Sequence, residues 1–195
     1  MTDTPRGPVI NVVDVLADPD HVIENPERGA FQARLALIGR ALGTGQIGIN
    51  MTVVPPGKRA FPRHYHYVND EIFVVLSGTG TLHYDEDDYP LKPLDVVSIR
   101  AGTGIPFQID NTGEEEMRYL ALSSLIPADV FHYVDSDKLG VMAGAVPFRD
   151  LSSEGGLPRM AKWMWRETRV GYWEGEAEAG EAGAVVTPRP TPDDG

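Results

Sequence analysis

The chain has no cysteine. That excludes disulfides, thiolate ligands and cysteine nucleophiles, so any metal must be held by histidine, carboxylate or water. No apolar stretch approaches the ~18 residues that a membrane-spanning helix needs. The N-terminus, Met1-Thr2-Asp3-Thr4-Pro5, lacks a basic region followed by an apolar core, so no secretory signal is expected and the expected location is cytoplasmic. Positive charge is scarce: 17 Lys and Arg stand against 29 Asp and Glu, a net charge of -12. An acidic excess repels nucleic acid and anionic membrane surfaces, so neither is expected as a partner. There is no basic helix-turn-helix segment to attach a sugar-binding regulator to DNA.

Turn formers are plentiful instead, with 21 Gly and 16 Pro in 195 residues. Many turns imply short elements and point to β architecture. From residue 46 the pattern has a period of two: Ile47, Ile49, Met51 and Val53 alternate with Gln46, Gly48, Asn50 and Thr52. That is a half-buried strand. Strand-like runs follow at 62–67, 71–77, 79–84, 95–100, 105–110 and 117–124, separated by turn signals such as Asn69-Asp70, Asp85 to Asp88 and Asn111-Thr112-Gly113. The fold class expected is all-β, a sandwich or barrel.

Four regions are expected. Residues 1–44 form an arm that packs on the barrel or on a partner subunit; within it, 31–42 reads equally as a short helix or as loop and strand. Residues 45–125 are the barrel, 126–173 a C-terminal extension, and 174–195 an acidic, Pro-rich disordered tail. The run Ile72 to Leu76 is apolar on both faces, whereas a strand with one wet face should alternate. Its second face calls for another layer, either the arm or a second subunit, so a homodimer is expected.

The chemistry centres on His64 and His66. Two residues apart on a strand, their imidazoles share one face. Glu71 is five residues after His66, an odd interval that would place it on the other face of a continuous strand. The turn signal at Asn69-Asp70 removes the conflict by letting Glu71 open a second antiparallel strand beside the histidines. Two imidazoles and a carboxylate make a metal-binding set with coordination positions left open, as metal-assisted catalysis requires.

These residues resemble the first motif of the cupin superfamily: Gly57, a spacer, His64-Tyr65-His66, four residues, Glu71, six residues, Gly78. A second motif is matched at Asp95, Gly102 and Asn111, with Leu94 where a glycine is usual and Phe107 where the family places a fourth, histidine ligand. The stretches Asp135-Ser136-Asp137-Lys138-Leu139-Gly140-Val141 and Tyr172-Trp173-Glu174-Gly175-Glu176 are similar to those of bacterial single-domain cupins, some of which carry a sugar-phosphate isomerase label. The resemblance implies a double-stranded β-helix (a jelly-roll barrel) with short N- and C-terminal extensions. It also implies a metal site of His64, His66 and Glu71, suited to Fe(II), with Mn, Zn or Ni as alternatives. The function expected is a metal-dependent enzyme of dioxygenase or isomerase/lyase type acting on a small oxygenated metabolite. The alternative is a non-catalytic cupin that binds a small molecule, its metal site degenerate because Phe107 fills the barrel.

The remaining candidates have simpler expectations. His83 should point outward, with Leu82 and Tyr84 inward. His21 and His132 should be solvated. Tyr65 and Tyr67 should pack on the face opposite the histidines. Gln108 should be a packing or solvent-exposed residue, and Arg63, Arg100 and Arg118 surface charges. Trp163, Trp165 and Trp173 should serve core or interface.

Overall fold

The computed structural model describes residues 7–143 and 160–166. The chain divides into two units, Met1–Trp165 and Arg166–Gly195. Apart from Arg166, the second unit, with Trp173 and the acidic tail, lies outside the described residues. No helix among the described residues is long and apolar enough to cross a membrane.

Two antiparallel sheets face each other. The first holds β1 (Val22–Arg28), β2 (Phe31–Ala36), β3 (Ile47–Val54), β10 (Met117–Ser124), β5 (Glu71–Ser77) and β8 (Val96–Ile99), in that spatial order. The second holds β13 (Met160–Trp165), β12 (Lys138–Ala143), β11 (Asp129–Tyr133), β4 (His64–His66), β9 (Phe107–Asp110), β6 (Gly80–Tyr84) and β7 (Asp87–Leu91). Successive strands from β4 to β11 alternate between the sheets or fold back within one, which is jelly-roll topology.

Period-two alternation decides what lies between the sheets. On β5, Phe73 and Val75 turn inward and are 5% and 0% exposed, while Ile72 and Leu76 on the outer face are 42% and 39% exposed. Met117 and Tyr119 from β10, Leu82 from β6 and Phe107 and Ile109 from β9 complete the interior cluster. A second cluster lies outside the first sheet. There Val15 of α1 (Val12–Leu16) and Ile38 and Ala41 of α2 (Ile38–Leu42) cover Met51 and Val53 of β3.

The arm therefore supplies the second layer over β2 and β3, with Leu120 of β10 packed against the same cluster. It contains both readings of residues 31–42: a strand as far as Ala36, then a helix from Ile38. Gly43 ends that helix in the left-handed conformation, as helix C-termini commonly do. Among the described residues the outer face of β5 and β8 stays open, with Val96 66% exposed.

Several strands went unread in the sequence. β7 falls partly in the Asp85 to Asp88 stretch expected to be a turn. It is the last strand of its sheet, and its charges and Pro90 suit that edge position. β11 and β12 have weak alternation, yet they extend the second sheet directly from β4. Leu94 replaces the usual motif glycine and keeps glycine's backbone, at φ 75°.

Candidate metal centre

β4 is three residues long and carries both histidines on its inner face, as their spacing requires. Their rings stand 5.1 Å apart, nearly edge to face. The Nδ1 of His64 lies 2.7 Å from the Pro62 carbonyl oxygen. Donation of that N–H leaves Nε2 as the lone-pair atom, free to ligate. Phe107 stands directly opposite His64 on β9, with ring centroids 4.7 Å apart.

Glu71 comes to the histidines by a different route from the one its spacing suggests. It does not open a strand beside β4. β5 belongs to the other sheet and pairs with β10 and β8, so Glu71 faces the histidines across the barrel. Parity along the chain does not constrain it, because the turn carries the chain from one sheet to the other. Asn69 fixes that turn: its Oδ1 accepts from Ile126 N at 2.8 Å and from Ser124 Oγ at 3.0 Å. Asp70 adds to the anchorage, its Oδ1 accepting from Ala101 N at 2.8 Å.

His64, His66 and Glu71 can each offer a ligand atom within 4.8 Å of the others. His66 Nε2 and Glu71 Oε2 are 3.6 Å apart, too far for a hydrogen bond. Both are buried, and neither has a hydrogen-bond partner among the described residues. Two orphaned buried polar atoms facing each other are costly unless something bridges them. The donor set fits a divalent cation, with nitrogen and oxygen ligands from both sides of the barrel.

Asp129 is the residue that sequence reasoning missed. Its Oδ2 lies 2.6 Å from His66 Nδ1, and its Oδ1 accepts from Val68 N at 3.3 Å. It thus orients His66 and leaves Nε2 aimed at Glu71. No local signal marks it: Asp129 is 63 residues from His66 and opens β11, which joins β4 only through long-range pairing. A carboxylate behind a ligating histidine fixes its tautomer and raises its basicity. Asp129→Asn is expected to weaken metal affinity about 10- to 100-fold, read by competition titration against a fluorescent chelator. Unchanged affinity would leave Asp129 with a folding role only.

The two imidazoles are tuned in opposite directions. Burial, with the neighbouring His66 charge, lowers His64 to about 4, so it is neutral at pH 7. For His66 burial acts downward, but the Asp129 hydrogen bond and the charges of Glu71 and Asp129 outweigh it and raise its pKa. Burial also raises Glu71. Because the folded value of His64 lies below its unfolded one, its stability contribution is present above pH 6.5 and is lost as pH falls toward 4. His66 and Glu71, both raised, work in the other direction. The metal-free wild type should therefore lose up to roughly 3 kcal/mol more than His64→Asn between pH 7 and pH 4. Urea titrations at both pH values measure the difference; parallel losses would show that His64 is not held neutral by the fold.

The other candidates fall as follows. His83 faces away from the barrel, with its Nδ1 2.5 Å from Asp88 Oδ1 and its Nε2 3.4 Å from Asp110 Oδ2. Gln108 is buried but bound outside the metal centre, to Arg59 at 3.0 Å and to the Phe61 carbonyl at 2.7 Å. His132 is not solvated: it is 6% exposed, and its Nε2 pairs with Asp137 Oδ1 at 2.8 Å. The polar sequence around it forms a hairpin that packs against β4. His21 is half-buried and paired with Asp18 at 2.9 Å. Tyr65 and Tyr67 lie opposite the histidines, their hydroxyls 3.1 Å apart. Arg63 is partly buried and donates to the Asp85 carbonyl, so it is not a free surface charge. Arg100 is exposed, and Arg118 pairs with Glu116 at 3.0 Å.

Comparison with known proteins adds to this geometry. Residues 50–123 match the family model of the cupin domain. The chain is 34% identical over 100 residues to auxin-binding protein 1 of Arabidopsis thaliana, covering 48% of this chain and 50% of that one. It spans about half the length of the curated relatives it matches. Among solved structures it resembles a sugar phosphate isomerase of the cupin superfamily from Silicibacter pomeroyi, at 22% identity and a TM-score of 0.61, covering 75% of this chain and 87% of that one. A second protein carrying the sugar phosphate isomerase label, from Acidithiobacillus ferrooxidans, aligns at 25% identity and the same TM-score of 0.61, covering 68% and 85%.

Proposed function

Since residues 50–123 of this chain match the cupin domain, we propose that it is a metal-dependent cupin enzyme acting on a small oxygenated metabolite. One observation carries the reading: His66 Nε2 and Glu71 Oε2, buried and without hydrogen-bond partners among the described residues, face each other from opposite sheets. His64 completes the set. A divalent cation held there would act as a Lewis acid toward a carbonyl or hydroxyl oxygen, and Fe(II) would add oxygen chemistry. Fe(II) suits two imidazoles and one carboxylate; Mn, Zn and Ni are the alternatives. The chain's own part is to hold His64 neutral, keep the His66 proton on the Asp129 side, and present Glu71 from across the barrel. Isomerase or lyase chemistry and dioxygenation both remain within this reading.

A second reading has its own observation. Phe107 is 3% exposed and packs against His64 and Phe73, which suits a non-catalytic cupin that binds a small molecule in an apolar barrel. Metal analysis of protein purified without added metal separates the two. Near-stoichiometric Fe, Mn, Zn or Ni supports the enzyme. Metal-free protein whose melting temperature ignores all four supports the binding module.

We also propose that the open outer face of β5 and β8 joins two copies of the chain. Ile72, Leu76, Val96 and the 82% exposed Leu94 make it apolar, and patches of this kind mark interaction sites. Light scattering should give a dimer for the wild type and a monomer for Ile72→Glu with Leu76→Glu; a monomeric wild type at high concentration ends this proposal.

A further inference from the structure

Alternation divides the inner face of the first sheet into a sealed part and an open part. On β3, Met51 and Val53 pack outward under the arm, so Gly48, Asn50, Thr52 and Val54 face the opposing sheet. On β10, Met117 and Tyr119 belong to the interior cluster and Ala121 packs against it, which places Ser123 on the same face. Thr52, Val54, Tyr119 and Phe73 are buried. Gly48, Asn50, Ala121 and Ser123 are only half-buried. The space between the sheets is therefore closed around Tyr119 and Phe73 and opens toward Glu71.

Register ties the open part to a metal ligand. Ser123 lies directly opposite Glu71 on one side and Gly48 on the other, and Asn50 lies opposite Ala121. Opposed residues in antiparallel pairs project from the same face. Two of these four positions carry almost no side chain, and the first needs none: a Cβ on Gly48 would fall 2.7 Å from Ser123 Oγ. Room is thus left beside two polar groups. Asn50 is held in one orientation, its Oδ1 accepting from the Oγ1 of fully buried Thr52 at 2.8 Å. That leaves its Nδ2 as a donor. Neither Nδ2 nor the Ser123 hydroxyl has a hydrogen-bond partner among the described residues. The inner positions of β3, β5 and β10 hold no Lys or Arg, and Glu71 is their one charged group. A hydroxyl can be satisfied on such a wall, whereas a second anionic group would be desolvated there without a cation to meet it.

Resting on the metal reading, we propose that Asn50, with Ser123 beside it, determines specificity: the pair receives the uncharged hydroxyls of a small polyhydroxylated substrate whose reacting end faces His64, His66 and Glu71. Asn50 donates through Nδ2, and the Ser123 hydroxyl donates or accepts.

Calorimetry on the Mn(II)-loaded full chain tests this with three probes that share a 2-hydroxy acid end. Glycolate is that end alone. Threonate adds two uncharged hydroxyls, and malate, of the same carbon length as threonate, adds a second carboxylate instead. Threonate should bind roughly tenfold more tightly than glycolate, as one or two added neutral hydrogen bonds allow, and more tightly than malate. Asn50→Asp keeps an acceptor for Thr52 and removes only the N–H donor. It should still take up Mn(II), but its threonate-to-glycolate ratio should fall to about one; Ser123→Ala should lower that ratio about threefold. The proposal is overturned, and the metal reading stands, if threonate gains nothing over glycolate, if malate binds better than threonate, or if the ratio survives either substitution. If metal analysis of the wild type finds no Mn(II) taken up, both are overturned.

Discussion

A His66→Ala chain is expected to lose its metal, with affinity falling by at least ~100-fold. The described site has three ligand groups, so losing one leaves a single imidazole and a carboxylate on opposite walls of the barrel. The substitution also strips Asp129 of its 2.6 Å partner and leaves this buried carboxylate with weaker contacts such as the 3.3 Å Val68 N–H, which lowers stability as well. Two effects are therefore superimposed, and a second variant separates them. Glu71→Gln removes a ligand but leaves the His66–Asp129 pair in place, so it should abolish metal uptake with little loss of metal-free stability. In a thermal shift assay, added Mn(II) should raise the melting temperature of the wild type, because a ligand that binds only the folded state stabilises it. It should leave both variants unmoved. Full metal content in either variant would show that the three residues are not the ligand set.

The second large effect is at Phe107. Its ring is 3% exposed and meets His64 at 4.7 Å and Phe73 at 5.6 Å. Phe107→Ala should lower stability by about 3–5 kcal/mol, through lost burial and the cavity left between the sheets. Phe107→His is the more telling change. The register sets position 107 directly opposite His64 on the inner face, where a histidine would supply a fourth ligand. Metal-free, this variant should be less stable than the wild type, because an imidazole replaces a buried phenyl ring. Metal-loaded, it should bind its ion more tightly and recover stability as metal is added. Urea titrations with and without Zn(II) measure both effects. A Phe107→His protein with no gain in affinity would mean that the inner face at residue 107 does not reach the ion.

Residue 107 also shows how far local pattern carries. The motif spacing identifies it as the displaced ligand position, and the structure places it against His64. Phe107 also fills the barrel interior, as the alternative reading of the sequence has it, in the cluster with Phe73 and Tyr119, so the departure from the family pattern is also a packing element. β7 and the β11–β12 hairpin show the opposite case. Charge and Pro90 hide the first, and weak alternation hides the second, because pairing with a neighbouring strand rather than intrinsic propensity holds them in the sheet.

By itself, the sequence determined the all-β class and the shared face of His64 and His66; the jelly-roll reading is what the resemblance of its motifs to the cupin superfamily implied. The first two rest on a period of two, a property of a single strand that needs no partner. Tertiary structure alone decided the rest of the candidate metal centre. Glu71 reaches the histidines because the turn held by Asn69 passes the chain to the opposing sheet, where parity with β4 has no meaning. Asp129 reaches His66 because β11 pairs with β4. The β11–β4 pairing joins residues more than 60 positions apart, and it is chosen by the burial of whole faces rather than by any spacing along the chain.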